Sequence, residues 1–343
     1  MLRLILRKSL RSIALLVCAV LVTFLLMHAI PGSPWENYAP TLRSSVRGAE
    51  FDALTQRNLE RHFGLDLPLW RQFTRYLLGD INPDGSLSCG AICGNLGPST
   101  RQRGRTVQEV LFAAPEGRSR WESRFGYSIR LVLLAAVFAV GLGVPLGLLG
   151  AARPRASLAR SASFGLAALI AIPNFVLGLL LTILLASWLK LIKVLPDWND
   201  PTYWFIAAAV LAVMPMASIA RVTQATLRSV LGEEYIRTAR AKGLSQRRVM
   251  LVHVLRSALA PIITYLSIIL MELFTGLLII ESLYSFPGFG REFWASVLAM
   301  DYPMVLGLTL LYAAGIILAN LFTEIACAIL DPRLRSPNPD APR

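Results

Sequence analysis

Six long apolar runs punctuate the chain: Ile13–Ile30, Leu131–Ala152, Phe164–Leu189, Thr202–Ile219, Pro261–Ile280 and Met304–Leu330. An α-helix rises about 1.5 Å per residue, so roughly 20 apolar residues cross about 30 Å of hydrocarbon. The pattern therefore predicts an all-α polytopic membrane protein with six transmembrane helices. Flanking residues set the orientation. Arg3, Arg7, Lys8 and Arg11 precede the first run, and the short turn between the second and third carries Arg153, Arg155 and Arg160. Basic flanks mark the cytoplasmic side, and Trp198, Tyr203 and Trp204 suit the opposite interface at the start of the fourth run. An even number of spans leaves both termini in the cytoplasm. The first run reads as an uncleaved anchor, because "MHAIPGSP" offers no small-x-small cleavage site.

The polar segment 32–124 is then an external domain. Leu54, Leu59 and Phe63, followed by Leu69, Phe73, Tyr76 and Leu77, recur at helical intervals interrupted by Gly64 and Pro68, which predicts two short amphipathic helices. The stretch from Asn82 to Thr106 is rich in Gly, Ser, Pro and Arg and reads as an irregular loop. Cys89 and Cys93 within it either close a small disulfide loop or stand as two separate thiols. The expected organisation is 1–31 for the N-terminus and first span, 32–124 outside, 125–335 for a five-helix core and 336–343 for a cytoplasmic tail.

Composition agrees with this reading. At 55% hydrophobic and 16% charged residues, with a mean hydropathy of +0.56, the chain of 343 residues is too apolar for an ordinary water-soluble domain. The net charge of +13 reflects cytoplasmic flanks and does not call for nucleic acid as a partner. Four cysteines and three scattered histidines, His28, His62 and His253, make neither a disulfide scaffold nor a metal cluster. No phosphate-binding Gly-x-x-x-x-Gly-Lys-Ser/Thr occurs, and no lysine follows a glycine. Catalytic residues are accordingly none, and the chain is read as a non-enzyme.

The loop 220–260 is too long for a simple connector. Glu233 and Glu234 suit the N-terminus of a helix from Glu234 to Lys242, and Gly243 suits its end. A second helix is expected after Ser245, exposing Arg247 and Arg248 and burying Val249, Val252 and Leu255. The two would form a protruding knob.

The run "EYIRTARAKGLS" resembles the coupling loop of ABC importer permeases of the dipeptide/oligopeptide/nickel subfamily. The general importer pattern Glu-Ala-Ala-x-x-x-Gly appears here as Arg237, Thr238, Ala239 and then Gly243. The Leu-Pro expected further on is Leu255-Arg256, with proline at Pro261 instead. "IPGSP" from Ile30, "FGLDLP" from Phe63, "IPNFVLGLLL" from Ile172, "ESLYSFPGFG" from Glu281, "DYP" from Asp301 and "LDPRLR" from Leu330 are similar to the same subfamily, whereas Pro83 to Glu122 matches least.

The resemblance implies a plasma (inner) membrane permease that works with a second permease, two ATPase subunits holding ATP and Mg, and an external solute-binding protein. The implied substrates are di- or oligopeptides, with nickel complexes and other small solutes open. It also implies that Arg237, Thr238, Ala239, Arg240, Lys242, Gly243 and Arg247 meet the ATPase.

Other residues bear on a pathway. Glu272 lies inside the fifth span, where a carboxylate is expensive against lipid and so faces the bundle interior, a subunit interface or the pathway. Pro287 and Gly288 lie between aromatics, predicting a tight re-entrant or surface hairpin near the pathway mouth, with Glu281 and Asp301 on either side as pathway or gate residues. Gly141, Gly143, Gly147 and Gly150 in the second span predict close helix packing, with a kink at Pro145. The rival expectation is an ion-coupled secondary transporter or channel without an ATPase, with Glu272 as its coupling acid.

Overall fold

The computed structural model of the protein describes residues 2–30, 66–81, 87–102, 104–152, 165, 168–193 and 196–330. The basic turn at 153–160, the first predicted external helix and the C-terminal tail lie outside the described residues. Among the described residues, five helices are long and apolar enough to cross a membrane: Leu10–Ala29, Arg124–Ala152, Pro201–Leu231, Pro261–Leu283 and Tyr302–Phe322. The protein is an all-α polytopic chain, with one small antiparallel strand pair among the described residues.

The third apolar run differs from a single continuous span. Residues 168–171 are helical, and Pro173, which lacks an N–H, starts a new helix. The apolar helix from there is Asn174–Trp188, shorter than the other five.

The chain divides into two compact units, 1–126 with 287–314, and 127–286 with 315–343. In the first lie α1 (Leu2–Ala29), α2 (Leu69–Leu78), the antiparallel strands β1 (Gly79–Ile81) and β2 (Leu87–Cys89), and α3 (Val107–Phe112). Strand register pairs Gly79 with Cys89 and Ile81 with Leu87. Gly79 has φ +97° and lies so close to Ser88 O that no Cβ fits. Within the stretch expected to be an irregular loop, the described residues hold β2 and a short 3-10 turn at Ala91–Cys93. Cys89 and Cys93 are joined by a disulfide, and Thr106 and Glu109 form a reciprocal capping box on α3. Ala91, Leu96, Val107, Val110 and Leu111 pack with Phe289, Met304 and Leu308 in one apolar cluster.

In the second unit lie α4 (Arg124–Ala152, from Tyr127 onward), α5 (Asn174–Ile183, continued by a π-turn to Trp188), α6 (Pro201–Leu231), α7 (Glu234–Ala241) and α8 (Leu255–Leu283). Asp200 caps α6 by accepting from the Thr202 N–H at 2.8 Å, which holds its carboxyl below the usual carboxylate range. Tyr203 Oη donates to Lys193 O and Trp204 Nε1 to Trp198 O, both at 2.8 Å, tying the preceding loop to the helix.

Of the four glycines expected to pack closely, Gly143, Gly147 and Gly150 of α4 do so, while Gly141 faces open space. A Cβ on Gly143 would lie 2.7 Å from Met216 O, one on Gly147 2.6 Å from Ala220 O, and one on Gly150 2.6 Å from Gln224 Nε2. These positions share one face of α4, and their lack of side chains lets it approach α6 closely. On the opposite flank of α6, Leu211 fills the space above Gly276 of α8.

Candidate coupling site

Helix α6 does not stop at Ile219, where the apolar run ends, but continues to Leu231. Ile219, Ala220, Thr223 and Leu227 remain buried at helical spacing while Arg221 and Ser229 turn outward. Gly232 closes the helix through its N–H to Ser229 O at 3.0 Å, and Glu233 starts α7 in extended conformation. Glu233 and Glu234 sit where the positive end of the helix dipole favours acids.

Helix α7 buries one narrow stripe. Ile236 and Ala239 face inward, joining a core that holds Leu227 of α6 and Val249, Met250 and Val254 beyond the turn. Arg237, Thr238, Arg240, Lys242, Gly243 and Arg247 are all exposed, so of the seven residues expected to meet an ATPase only Ala239 turns inward. With Arg248, this surface carries five cations against the two acids at the start of α7. Among the described residues, no carboxylate pairs with any of the five.

The end of α7 is a Schellman turn. The Gly243 N–H donates to Arg240 O at 2.9 Å and the Leu244 N–H to Ala239 O at 3.4 Å, around Gly243 at φ +79°. A Cβ at Gly243 would meet nothing within 4 Å, so only the left-handed backbone demands glycine inside this chain. Ser245 then caps the next turn, its hydroxyl accepting from the Arg248 N–H at 3.4 Å.

The expected second helix is not a separate element. Residues Gln246–Arg248 pass through a π-helical stretch, Val249–Val254, directly into α8. The wider π-turn also shifts the buried face: Val249, Met250 and Val254 are buried, and Val252, expected inside, is half exposed.

The acids assigned to a pathway or gate fall in three settings. In the second unit, Glu281 is fully buried and its Oε1 accepts from Ser128 Oγ at 2.6 Å. Glu272, midway along α8, is partly buried, and its Oε2 has no hydrogen-bond partner among the described residues. In the first unit, Asp301 is fully buried. It accepts from Ser99 Oγ at 2.5 Å, the backbone N–H groups of Thr100 and Arg101 at 3.1 Å, and the Met304 N–H at 3.3 Å, so it also caps α10 (Tyr302–Leu330). The hairpin expected around Pro287 and Gly288 is instead the lead into a ten-residue helix, α9 (Phe289–Leu298). Its Glu292 is buried and held by Arg101 at 2.7 Å, Gln102 at 3.0 Å and Arg124 at 3.4 Å.

Ser99, Arg101, Gln102, Arg124 and Glu292 did not stand out in the sequence. The one available signal was Asp301 just ahead of Tyr302-Pro303, a helix-capping acid followed by an early proline.

Comparison with known proteins adds a separate line. Residues 143–336 match the family described as "Binding-protein-dependent transport system inner membrane component", and residues 1–116 match the N-terminal region of such membrane components. The chain is 36% identical over 315 residues to the dipeptide transport system permease protein DppB of Bacillus subtilis, covering 92% of each chain. It is 31% identical over 366 residues to DppB of Escherichia coli K12, covering 98% of this chain and 99% of that one. With the oligopeptide transport system permease protein OppB of Haemophilus influenzae it shares 33% identity over 341 residues, 98% of this chain and 100% of that one. A solved structure of the inward facing MetNI methionine ABC transporter aligns at a TM-score of 0.48 with 17% identity, covering 60% of this chain and 93% of that chain.

Proposed function

The chain belongs to the family of binding-protein-dependent transport system inner membrane components, and on that premise we propose that α7 and the Gly243 turn are the surface through which a separate ATPase drives peptide import. Membership makes the protein a multi-pass inner-membrane permease subunit, and it sets aside the ion-coupled secondary transporter or channel. The names of the relatives, dipeptide and oligopeptide permeases, support di- or oligopeptides as the substrate class.

The observation that carries the coupling reading is the two-sidedness of α7. Ile236 and Ala239 lock its back into the core between α6 and α8, while its front offers Arg237, Arg240, Lys242, Arg247 and Arg248, with which no carboxylate pairs among the described residues. A cationic face of this kind is complementary to an acidic cleft. Packed elements move as nearly rigid bodies, so a push on α7 passes into α8, whose backbone is continuous with the turn after Gly243.

In this reading two ATPase subunits bind ATP and Mg, a second permease completes the pathway and an external solute-binding protein delivers the peptide. Both termini and α7 then face the cytoplasm.

The test compares Gly243→Asn with Gly243→Val in the assembled transporter. Asparagine accepts the left-handed turn, whereas valine does not. If a partner surface covers Gly243, both variants lose peptide uptake while the subunits still assemble. Normal uptake by Gly243→Asn contradicts contact at this turn and leaves Gly243 a purely local requirement.

A further inference from the structure

Helix α2 belongs by sequence to the segment assigned to the aqueous side, yet its contacts lie at membrane depth. Phe73 and Tyr76 of α2 pack against Val20 and Phe24 of α1 and Leu306 of α10. The rings of Phe24 and Phe73 are 5.4 Å apart, and Gln72 Oε1 lies 3.1 Å from His28 Nε2. From Val20 to the end of α1 at Ala29 is about 14 Å of helix, and from Tyr302 to Leu306 about 6 Å. Both partners are membrane-length helices, and the hydrocarbon layer is about 30 Å thick. A helix level with Val20–His28 is therefore level with one leaflet. At that same height α1 leaves Val22, Leu25 and Leu26 exposed, as a lipid-facing surface would.

The outward face of α2 has the matching chemistry. Leu69, Trp70 and Leu78 are exposed, Trp70 at 64% and Leu78 at 62%. Trp70, Thr74 and Leu78 follow one another at four-residue spacing, with exposed Arg71 beside them and its guanidinium 5.2 Å from the Trp70 ring. Tryptophan with apolar neighbours and an arginine able to reach upward is the composition of a bilayer interface.

We propose that α2 is seated in the leaflet at the C-terminal end of α1, with phospholipid acyl chains against Leu69, Trp70 and Leu78 and lipid phosphate at Arg71. The helix thereby fixes the outer ends of α1 and α10 to the membrane surface.

The test places a nitroxide at Trp70→Cys or Leu78→Cys, in a background with Cys18→Ser and Cys327→Ser, on the full chain with its co-assembled subunits in phosphatidylethanolamine/phosphatidylglycerol nanodiscs. Both labels should collide several-fold more with oxygen, which concentrates in lipid, than with a water-soluble nickel chelate. A label at Glu116→Cys, on an exposed polar loop, supplies the aqueous reference. The proposal is overturned if the α2 labels behave like the Glu116 label, or if they are shielded from both agents as under a protein partner. Hydroxyl-radical footprinting of the unsubstituted chain gives an independent readout. Trp70 is protected if α2 lies in lipid, and oxidation at the rate of a short tryptophan peptide contradicts it.

Discussion

Ser99 donates its hydroxyl to Oδ2 of Asp301 at 2.5 Å although 202 residues separate them. Both side chains are buried, and the same carboxylate collects the N–H groups of Thr100, Arg101 and Met304. The contact joins the disulfide-bearing stretch to the start of α10 within one unit, and four donors on one acid explain why a buried carboxylate is tolerated there.

Replacing Asp301 with alanine strands those donors, at about 1–3 kcal/mol for each buried group left unpaired. Asp301→Ala should lower the thermal midpoint of the purified protein and speed hydrogen exchange at residues 99–102. Asp301→Asn, which keeps an acceptor, should be milder. Equal exchange in wild type and Asp301→Ala would show that the carboxylate does not organise this stretch.

Position 147 tests the approach of α4 to α6. Gly147→Leu directs a side chain at Ala220 O and Thr223, and overpacking of this kind costs about 1–3 kcal/mol or more when backbone is in the way. The variant should reach the membrane at reduced yield and unfold earlier in detergent. Gly141→Leu, where a Cβ meets nothing within 4 Å, should be tolerated.

The two sides of α7 should separate stability from coupling. Ile236→Ala removes a fully buried side chain and should cost about 3 kcal/mol locally, so that ATP hydrolysis persists while uptake falls. Arg240→Ala, on the exposed side, should leave the thermal midpoint within measurement error yet weaken ATPase association at low salt, with the difference from wild type shrinking as salt is raised.

The disulfide closes a very short loop, for which the chain-entropy estimate is about 2 kcal/mol. Cys89→Ser should lower the thermal midpoint modestly, and the wild-type chain should bind maleimide at Cys89 and Cys93 only after reduction. Reaction of both thiols without reductant would contradict the bond.

The apolar runs made five spans legible, because length and the absence of charge suffice where lipid is the solvent. Their ends were less so. Helix α6 outlasts its apolar run by twelve residues, since an amphipathic continuation with Thr223 and Leu227 inward is as helical as the span itself. Pro173 shortened the third span for a reason present in the sequence, the missing N–H. At the proposed coupling site, Gly243 and Ser245 announced the turn correctly in type, but the merger of the second helix with α8 through a π-turn left no local mark. Helix α9 and the Ser99–Asp301 contact were hidden for a different reason. Pairings between residues some 200 positions apart depend on the tertiary fold, and glycine and proline around α9 gave the same signal as a hairpin.

The central claim is that an ATPase docks on α7, and a photo-crosslinking amino acid at Arg240 tests it most directly. On illumination of native membranes, the account predicts an adduct between this chain and a Walker-motif ATPase subunit, identified by mass spectrometry. The same probe at Ile236, buried behind the helix, should give none. Illumination that yields no ATPase adduct at Arg240, from a chain shown to sit in a transporting complex, would contradict the account.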